Sequence, residues 1–143
     1  MIAGLLLAAC GSRRMGSPKP LLNWRGRPLV QYQVEQLRAA GCDHVVVVLG
    51  SRAGRVLPFV DGLDATVVIN ERFAEGRATS VRAGAAALPS SASWIAVLGV
   101  DQPRPAPLMR RLFKAALASD ADILVPVHGG RRGHPVLFSG RLL

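Results

Sequence analysis

The sequence predicts a doubly wound α/β domain built on a mostly parallel sheet. Two observations carry that prediction. Short runs that are apolar throughout, IAGLLLAA, HVVVVL and WIAVL among them, have the character of strands covered on both faces. Segments with helical spacing separate these runs, and strands alternating with helices imply parallel pairing through right-handed crossovers. The length of 143 residues, with 50% apolar and 19% charged residues, suits one folded domain over residues 1–143.

The elements follow in order. Ile2–Ala9 is the first strand, and the polar stretch Cys10–Lys19 leaves it as a loop. Pro28 suits a first helical turn; Leu29, Tyr32, Val34, Leu37 and Ala40 then recur at helical spacing until Gly41 stops the helix. His44–Leu49 is β-branched and too short for a helix, so it is the second strand. A short helix is expected over Arg52–Val60, a third strand over Ala65–Ile69, and an alanine-rich helix over Arg77–Leu88, closed by Pro89. Trp94–Leu98 is the fourth strand, Ala106–Ala118 a helix, Asp122–Val127 a fifth strand and His134–Phe138 a sixth. In such sheets ligands bind beyond the carboxyl ends of the strands, which singles out the loops after Ala9, Ile69 and Leu98.

Charge and composition narrow the ligand classes. Eighteen Lys and Arg against nine Asp and Glu give a net charge of +9. A coding bias towards Arg and Ala accounts for much of it, and a local anion site fits within the rest. Aromatics are only 5% and do not interleave with the basic residues, so no nucleic-acid partner is expected. No apolar run approaches the ~20 residues of a spanning helix, and no membrane partner is expected. Leu7-Ala8-Ala9-Cys10 matches a lipoprotein cleavage box, but no Lys or Arg precedes it and cleavage would remove the first strand. The segment is therefore read as structural, and Cys10 and Cys42 as reduced thiols of a cytoplasmic protein.

The first loop, Cys10–Lys19, reads CGSRRMGSPK. Its glycines allow backbone amides to approach an oxyanion, Arg14 offers a bidentate fork and Lys19 a compact charge. In the second loop, Asn70 stands at a strand end where it either forms a turn or reads a base or ribose, and Ser80 follows on the next helix. In the third, Asp101 either caps the helix that begins at Ala106 or supplies a hard oxygen to Mg²⁺.

These segments carry a resemblance. LAACGSRRMGSPK resembles the signature L-A-[AG]-G-x-S-x-R-M-G-x-x-K of the molybdenum cofactor nucleotidyltransferases, with Cys10 where that family has glycine. The stretch from Asn70 to Gly84 is similar to the N-x-x-[aromatic]-x-x-G-x-x-x-S-[apolar]-x-x-G segment of the cytidylyl branch. Gly99-Val100-Asp101-Gln102-Pro103 resembles G-D-x-P with Val100 inserted into it or replacing its glycine, and Gly133-His134-Pro135-Val136-Leu137-Phe138 resembles G-x-P-x-[apolar]-[aromatic].

The resemblance implies a Rossmann-like nucleotide-diphospho-sugar transferase fold. It is expected to be C-terminally shortened, because a later Gly-Asp of the family has no counterpart before Leu143. It implies a Mg²⁺-dependent enzyme that moves a nucleoside monophosphate from CTP to molybdopterin, a phosphorylated pterin, with release of pyrophosphate. A molybdoenzyme maturation factor is the protein partner that follows. Leu7, Ala8, Ala9, Gly11, Ser12, Arg14, Lys19, Asn70 and Ser80 are the expected nucleotide-binding residues, and Arg14, Lys19 and Asp101 the catalytic ones. Asp101 is the expected metal ligand, and Gly133, His134 and Pro135, flanked by Arg131 and Arg132, the acceptor-binding residues. GTP as donor, a sugar or alcohol phosphate as acceptor, and a nucleotide-binding module without catalysis remain open alternatives.

Overall fold

The computed structural model describes residues 1–11 and 16–142. The main sheet has six strands: β1 (Ile2–Ala8), β4 (Cys42–Leu49), β5 (Thr66–Ile69), β6 (Trp94–Gly99), β7 (Ile123–Leu124) and β10 (Val136–Ser139). Two small hairpins stand outside it, β2 (Asn23–Trp24) with β3 (Arg27–Pro28), and β8 (Val127–His128) with β9 (Arg131–Arg132). The helices are α1 (Leu29–Ala40), α2 (Ala53–Val60), α3 (Arg77–Ala85) and α4 (Ala106–Leu117).

The sheet order is β5-β4-β1-β6-β10-β7. Strands β5, β4, β1 and β6 are parallel; β10 runs antiparallel between β6 and β7. The chain order therefore reverses between β1 and β6, and the carboxyl ends of those two strands flank the switch point where such sheets bind ligands.

β1 is buried along its whole length because both of its faces are covered. Leu6 and Ala8 pack into the larger core under α1, α2 and α4, whereas Ala3, Leu5, Leu7 and Ala9 face the smaller core on the α3 side. The alternation follows from the two-residue period of a strand. Helix α1 buries Leu29, Val30, Val34 and Leu37 and ends at Gly41, which adopts φ 119° and lets its N–H reach the carbonyls of Leu37 and Arg38.

The expected elements are all present, with shifted bounds. The second strand begins at Cys42 rather than His44, and the alanine-rich helix ends at Ala85 rather than Leu88. Thr66–Ile69 is an edge strand, so it is only half covered and Ile69 is 50% exposed. The expected strand Asp122–Val127 shortens to two residues and gives way at Pro126 to the β8–β9 hairpin, which turns through Gly129 and Gly130 at positive φ. A proline has no N–H for a ladder, which explains the stop. The last strand begins at Val136 rather than His134, after a cis His134–Pro135 peptide. The β2–β3 hairpin was not expected; Arg25 and Gly26 at positive φ form its turn, and Trp24 meets Tyr32 of α1 edge-on at 6.3 Å.

Candidate active site at the carboxyl edge of the sheet

A cleft of about 130 Å³ opens where β1 and β6 end. It is lined by Leu7, Ala8, Ala9 and Cys10 from the β1 end, Gly99, Val100 and Asp101 from the β6 end, and Lys19, Phe73, Arg77 and Ser80 from the surrounding segments. Lys19 enters through a short 3-10 turn, Lys19–Leu21, that follows Pro18. Its Nζ stands 3.7 Å from a carboxylate oxygen of Asp101. Both side chains are partly exposed, so the pair contributes little to stability. Its significance is placement: one cation and one carboxylate, 82 residues apart in sequence, converge at the switch point from the loops that follow β1 and β6.

The loop that carries Asp101 is braced from several sides. Val100 N–H donates to the carbonyl of Leu7 at 2.9 Å and Gln102 N–H to that of Gly99 at 3.1 Å. Gln33, fully buried in α1, sends its Nε2 to the carbonyls of Gly99 and Val100 at 3.3 Å each, and its Oε1 accepts from Arg104 N–H at 3.4 Å. Gln36, one turn on, accepts from Ala106 N–H at 2.8 Å and so satisfies an open amide at the start of α4. Asp101 makes no cap of its own to that helix; the helix start carries no side-chain cap from Pro105 either.

Gln102 links this loop to the last strand. Its Oε1 accepts from Gly99 N–H at 3.2 Å, and its Nε2 lies 3.0 Å from His134 Nδ1. Arg104 Nε donates to the His134 carbonyl at 3.0 Å. Desolvation, with Arg77 and Arg104 close by, holds the imidazole of His134 below its ordinary pKa, against a smaller opposing pull from Asp101.

Among the sequence-predicted residues, Leu7, Ala8, Ala9, Lys19, Ser80 and Asp101 come together around the cleft. Ser12 and Arg14 lie outside the described residues. Gly11 is exposed and faces Ser51, whose Oγ would lie 2.9 Å from a Cβ at that position. Asn70 is buried behind the cleft rather than lining it. Its Nδ2 donates to Thr79 and Ser80 hydroxyls at 2.9 Å, and its Oδ1 accepts from Arg72 N–H at 3.0 Å. The amide thus ties the β5 end to the start of α3 and orients Ser80. His134 does not line this cleft either; it borders an adjoining apolar cavity with Arg77, Val97 and Phe138. Arg77 lines both spaces and joins them.

Arg77, Phe73, Gln33 and Gln102 escaped the sequence reading. Arg77 is the first residue of a helix that follows a predicted ligand loop, a position where basic side chains meet anions, and that signal was available. Phe73 packs so closely on the β4 end that a Cβ on Gly50 would come within 2.7 Å of it, which only the fold reveals.

The donor set can be tested for a divalent cation. Among the described residues, Asp101 is the one carboxylate lining the cleft, and no three His, Cys, Asp or Glu side chains cluster as a metal cage. Mg²⁺ keeps several waters and commonly binds through one or two carboxylates plus substrate phosphates, so a single exposed carboxylate fits it.

Residues 4–143 match the MobA-like NTP transferase domain. The chain is 34% identical, over 99% of its length and 72% of the other's, to a nicotine blue oxidoreductase of Paenarthrobacter nicotinovorans. It is 40% identical, over 71% of its length and 48% of the other's, to the "Probable molybdenum cofactor guanylyltransferase" of Opitutus terrae. A molybdenum cofactor cytidylyltransferase of Escherichia coli is 27% identical over 94% of this chain and 68% of its own length. Among solved structures, Rv0371c of Mycobacterium tuberculosis superposes with a TM-score of 0.85 at 32% identity, over 96% of this chain and 70% of that one. The same mycobacterial protein in complex with manganese gives 0.77 at 30% identity, with 96% and 70% covered. The six-stranded sheet with its covering helices is the nucleotidyltransferase fold of these neighbours, and the chain belongs to the MobA-like NTP transferase family.

Proposed function

We propose that this chain transfers a cytidylyl group from CTP to a phosphorylated pterin, molybdopterin, and releases pyrophosphate. The observation that carries the reading is the Lys19–Asp101 pair across the cleft at the carboxyl ends of β1 and β6. A phosphate oxygen of the acceptor attacks the α-phosphorus, the bond to the bridging oxygen breaks, and pyrophosphate leaves with the electron pair. The acceptor oxygen is already ionised, so no general base is required. Such transfers depend on alignment and charge neutralisation more than on covalent chemistry.

Lys19 supplies charge to the α-phosphate, and its present partner Asp101 is the residue that would hold a divalent cation. Mg²⁺ held there would supply charge neutralisation at the phosphate oxygens. Arg14 and the amides of the first loop hold the pyrophosphate. Arg77, which lines the cleft, adds a second cation. Ser80, oriented by Asn70, meets the nucleoside, and Gly133, His134 and Pro135 border the acceptor beyond Arg77. A protein that matures a molybdoenzyme is the partner that follows for the product.

The test is pyrophosphate release with molybdopterin as acceptor, CTP and GTP offered separately, with and without Mg²⁺. Lys19→Ala is expected to cut turnover by roughly a hundredfold or more, as loss of a charge-stabilising group does. Asp101→Asn is expected to remove the Mg²⁺ dependence. Wild-type rates in both variants overturn the site assignment, and faster turnover with GTP moves the donor to the guanylyl branch. Nucleotide binding by calorimetry with no pyrophosphate release reduces the chain to a binding module. The 34% identity to the nicotine blue oxidoreductase favours a second reading, in which nicotine blue is turned over and no pyrophosphate appears.

A further inference from the structure

A second basic surface borders the acceptor stretch, in a groove of about 700 Å³ between α4 and the β8–β9 hairpin that shares no lining residue with the cleft. Its walls carry Arg104, Arg111, Arg131, Arg132, His128 and His134, and no carboxylate is among the residues that line it. The arginines come from three elements: the β6–α4 loop, helix α4 and strand β9. Among the described residues, no Asp or Glu stands within ion-pairing distance of any of the four. Like charges gathered without counter-charges repel one another, so an anionic occupant is favoured.

The groove is also apolar in part. Helix α4 spends Ala106, Met109, Phe113 and Ala116 on the core. Leu108, and Leu112 one turn on at the edge of the core, line the groove with Val127 of the hairpin. Val127 is 65% exposed and Leu108 39% exposed. Exposed leucine and valine beside unpaired arginine match a ligand with both carboxylates and apolar side chains.

We propose that this groove docks a short acidic segment of a partner protein, one in which glutamate or aspartate alternates with apolar residues. Three observations favour that occupant. A small-molecule site encloses most of its ligand, whereas the groove residues His128, Arg111, Arg131 and Arg132 are all exposed. No Phe, Tyr or Trp lines it, so a single nucleic-acid strand has no stacking platform. The arginines are distributed over separate elements together with leucine and valine, which suits spaced carboxylates on a chain better than one compact phosphate.

The groove adjoins the catalytic edge. Arg104 and His134 line it, and the same two residues brace the Asp101 loop through the Arg104–His134 carbonyl bond and the Gln102–His134 contact. A segment held there places its protein beside the acceptor stretch Gly133–Pro135. That this partner delivers the acceptor or collects the product rests on the nucleotidyl-transfer reading; the docking itself does not.

The probe is a fluorescent dodecapeptide alternating glutamate pairs with leucine, titrated at physiological salt and followed by anisotropy. Saturable binding is expected, weakened roughly fivefold or more by Arg111→Glu, which reverses a groove charge, and by Leu108→Ser, which removes the apolar contact. Both positions are exposed on α4, and thermal melting confirms that each variant is folded; should either melt early, Arg111→Gln and Leu108→Thr take their places. Absence of saturable binding, or equal binding by wild type and variants, overturns the proposal. So does tighter binding of a single-stranded oligonucleotide of equal charge, or displacement of the peptide by inorganic phosphate at matched charge. The assay contains no nucleotide, so failure of the transfer reading shows only in the pyrophosphate assay.

Discussion

Gln33 offers the sharpest test of how the site is held. Its side chain is fully buried, yet it spans from α1 to the backbone of the Asp101 loop. Gln33→Leu keeps nearly the same volume and leaves no cavity, so its cost is the hydrogen bonds it abandons. The Gly99 carbonyl keeps a donor in Gln102 N–H, but the Val100 carbonyl and Arg104 N–H lose the partner that Gln33 provides. A buried polar group left unpaired costs about 1–3 kcal/mol; the long 3.3 and 3.4 Å contacts put each at the low end, and the added apolar burial offsets part. A net loss of about 1–2 kcal/mol lowers the melting midpoint of a domain this size by roughly 3–8 °C. Relaxation of the loop also moves Asp101 relative to Lys19, and a misplacement of about 1 Å costs up to a hundredfold in rate. Calorimetric melting and the Mg²⁺ dependence of pyrophosphate release, measured on the same variant, read the two effects separately. An unchanged melting midpoint together with wild-type Mg²⁺ dependence refutes the bracing role.

Other outcomes follow from the same packing and titration. Gly84→Ala would place a Cβ onto Leu5 and within 2.8 Å of Val48, so chemical denaturation should show a loss of about 1–3 kcal/mol as α3 is pushed off the sheet. Of the two thiols, the exposed Cys10 should react with a disulfide reagent in the native state; Cys42, buried and with its pKa pushed up to about 12 by desolvation, should react only on unfolding. The raised Cys42 value also sets a pH window: its contribution is intact below the ordinary value of 9.0 and is lost as pH rises towards about 12, so Cys42→Ala should flatten the alkaline slope of stability. His134 works in the opposite direction. Its lowered pKa means a contribution present above 6.5 and lost as pH falls through the folded value, so His134→Gln should flatten the acid limb of the melting curve just below 6.5.

Much of the framework is local and therefore visible in the residues. An all-apolar strand such as Ile2–Ala8 announces cover on both faces, and the 3.6-residue spacing of Leu29 to Ala40, with Gly41 behind it, announces a helix and its end. The same pattern marks the loops at the ends of β1 and β6 as candidate ligand loops, and the charge chemistry within them singles out Lys19 and Asp101 as candidates. The bounds were less visible: Pro126 stops β7 early, and the end of α3 at Ala85 has no breaker of its own before Pro89.

Composition and periodicity by themselves determined the α/β class, the helices and the strands of the main sheet in order, and which loops carry charge, because each depends on residues close together in the chain. Only the tertiary structure decided that β10 inserts antiparallel between β6 and β7, that Gln33 reaches the Asp101 loop, that Asn70 braces Ser80 from behind, and that Lys19 meets Asp101. Those are contacts between distant segments. They are chosen by which faces bury together and which polar atoms must find partners once water is excluded, and no window along the chain contains both halves of that choice.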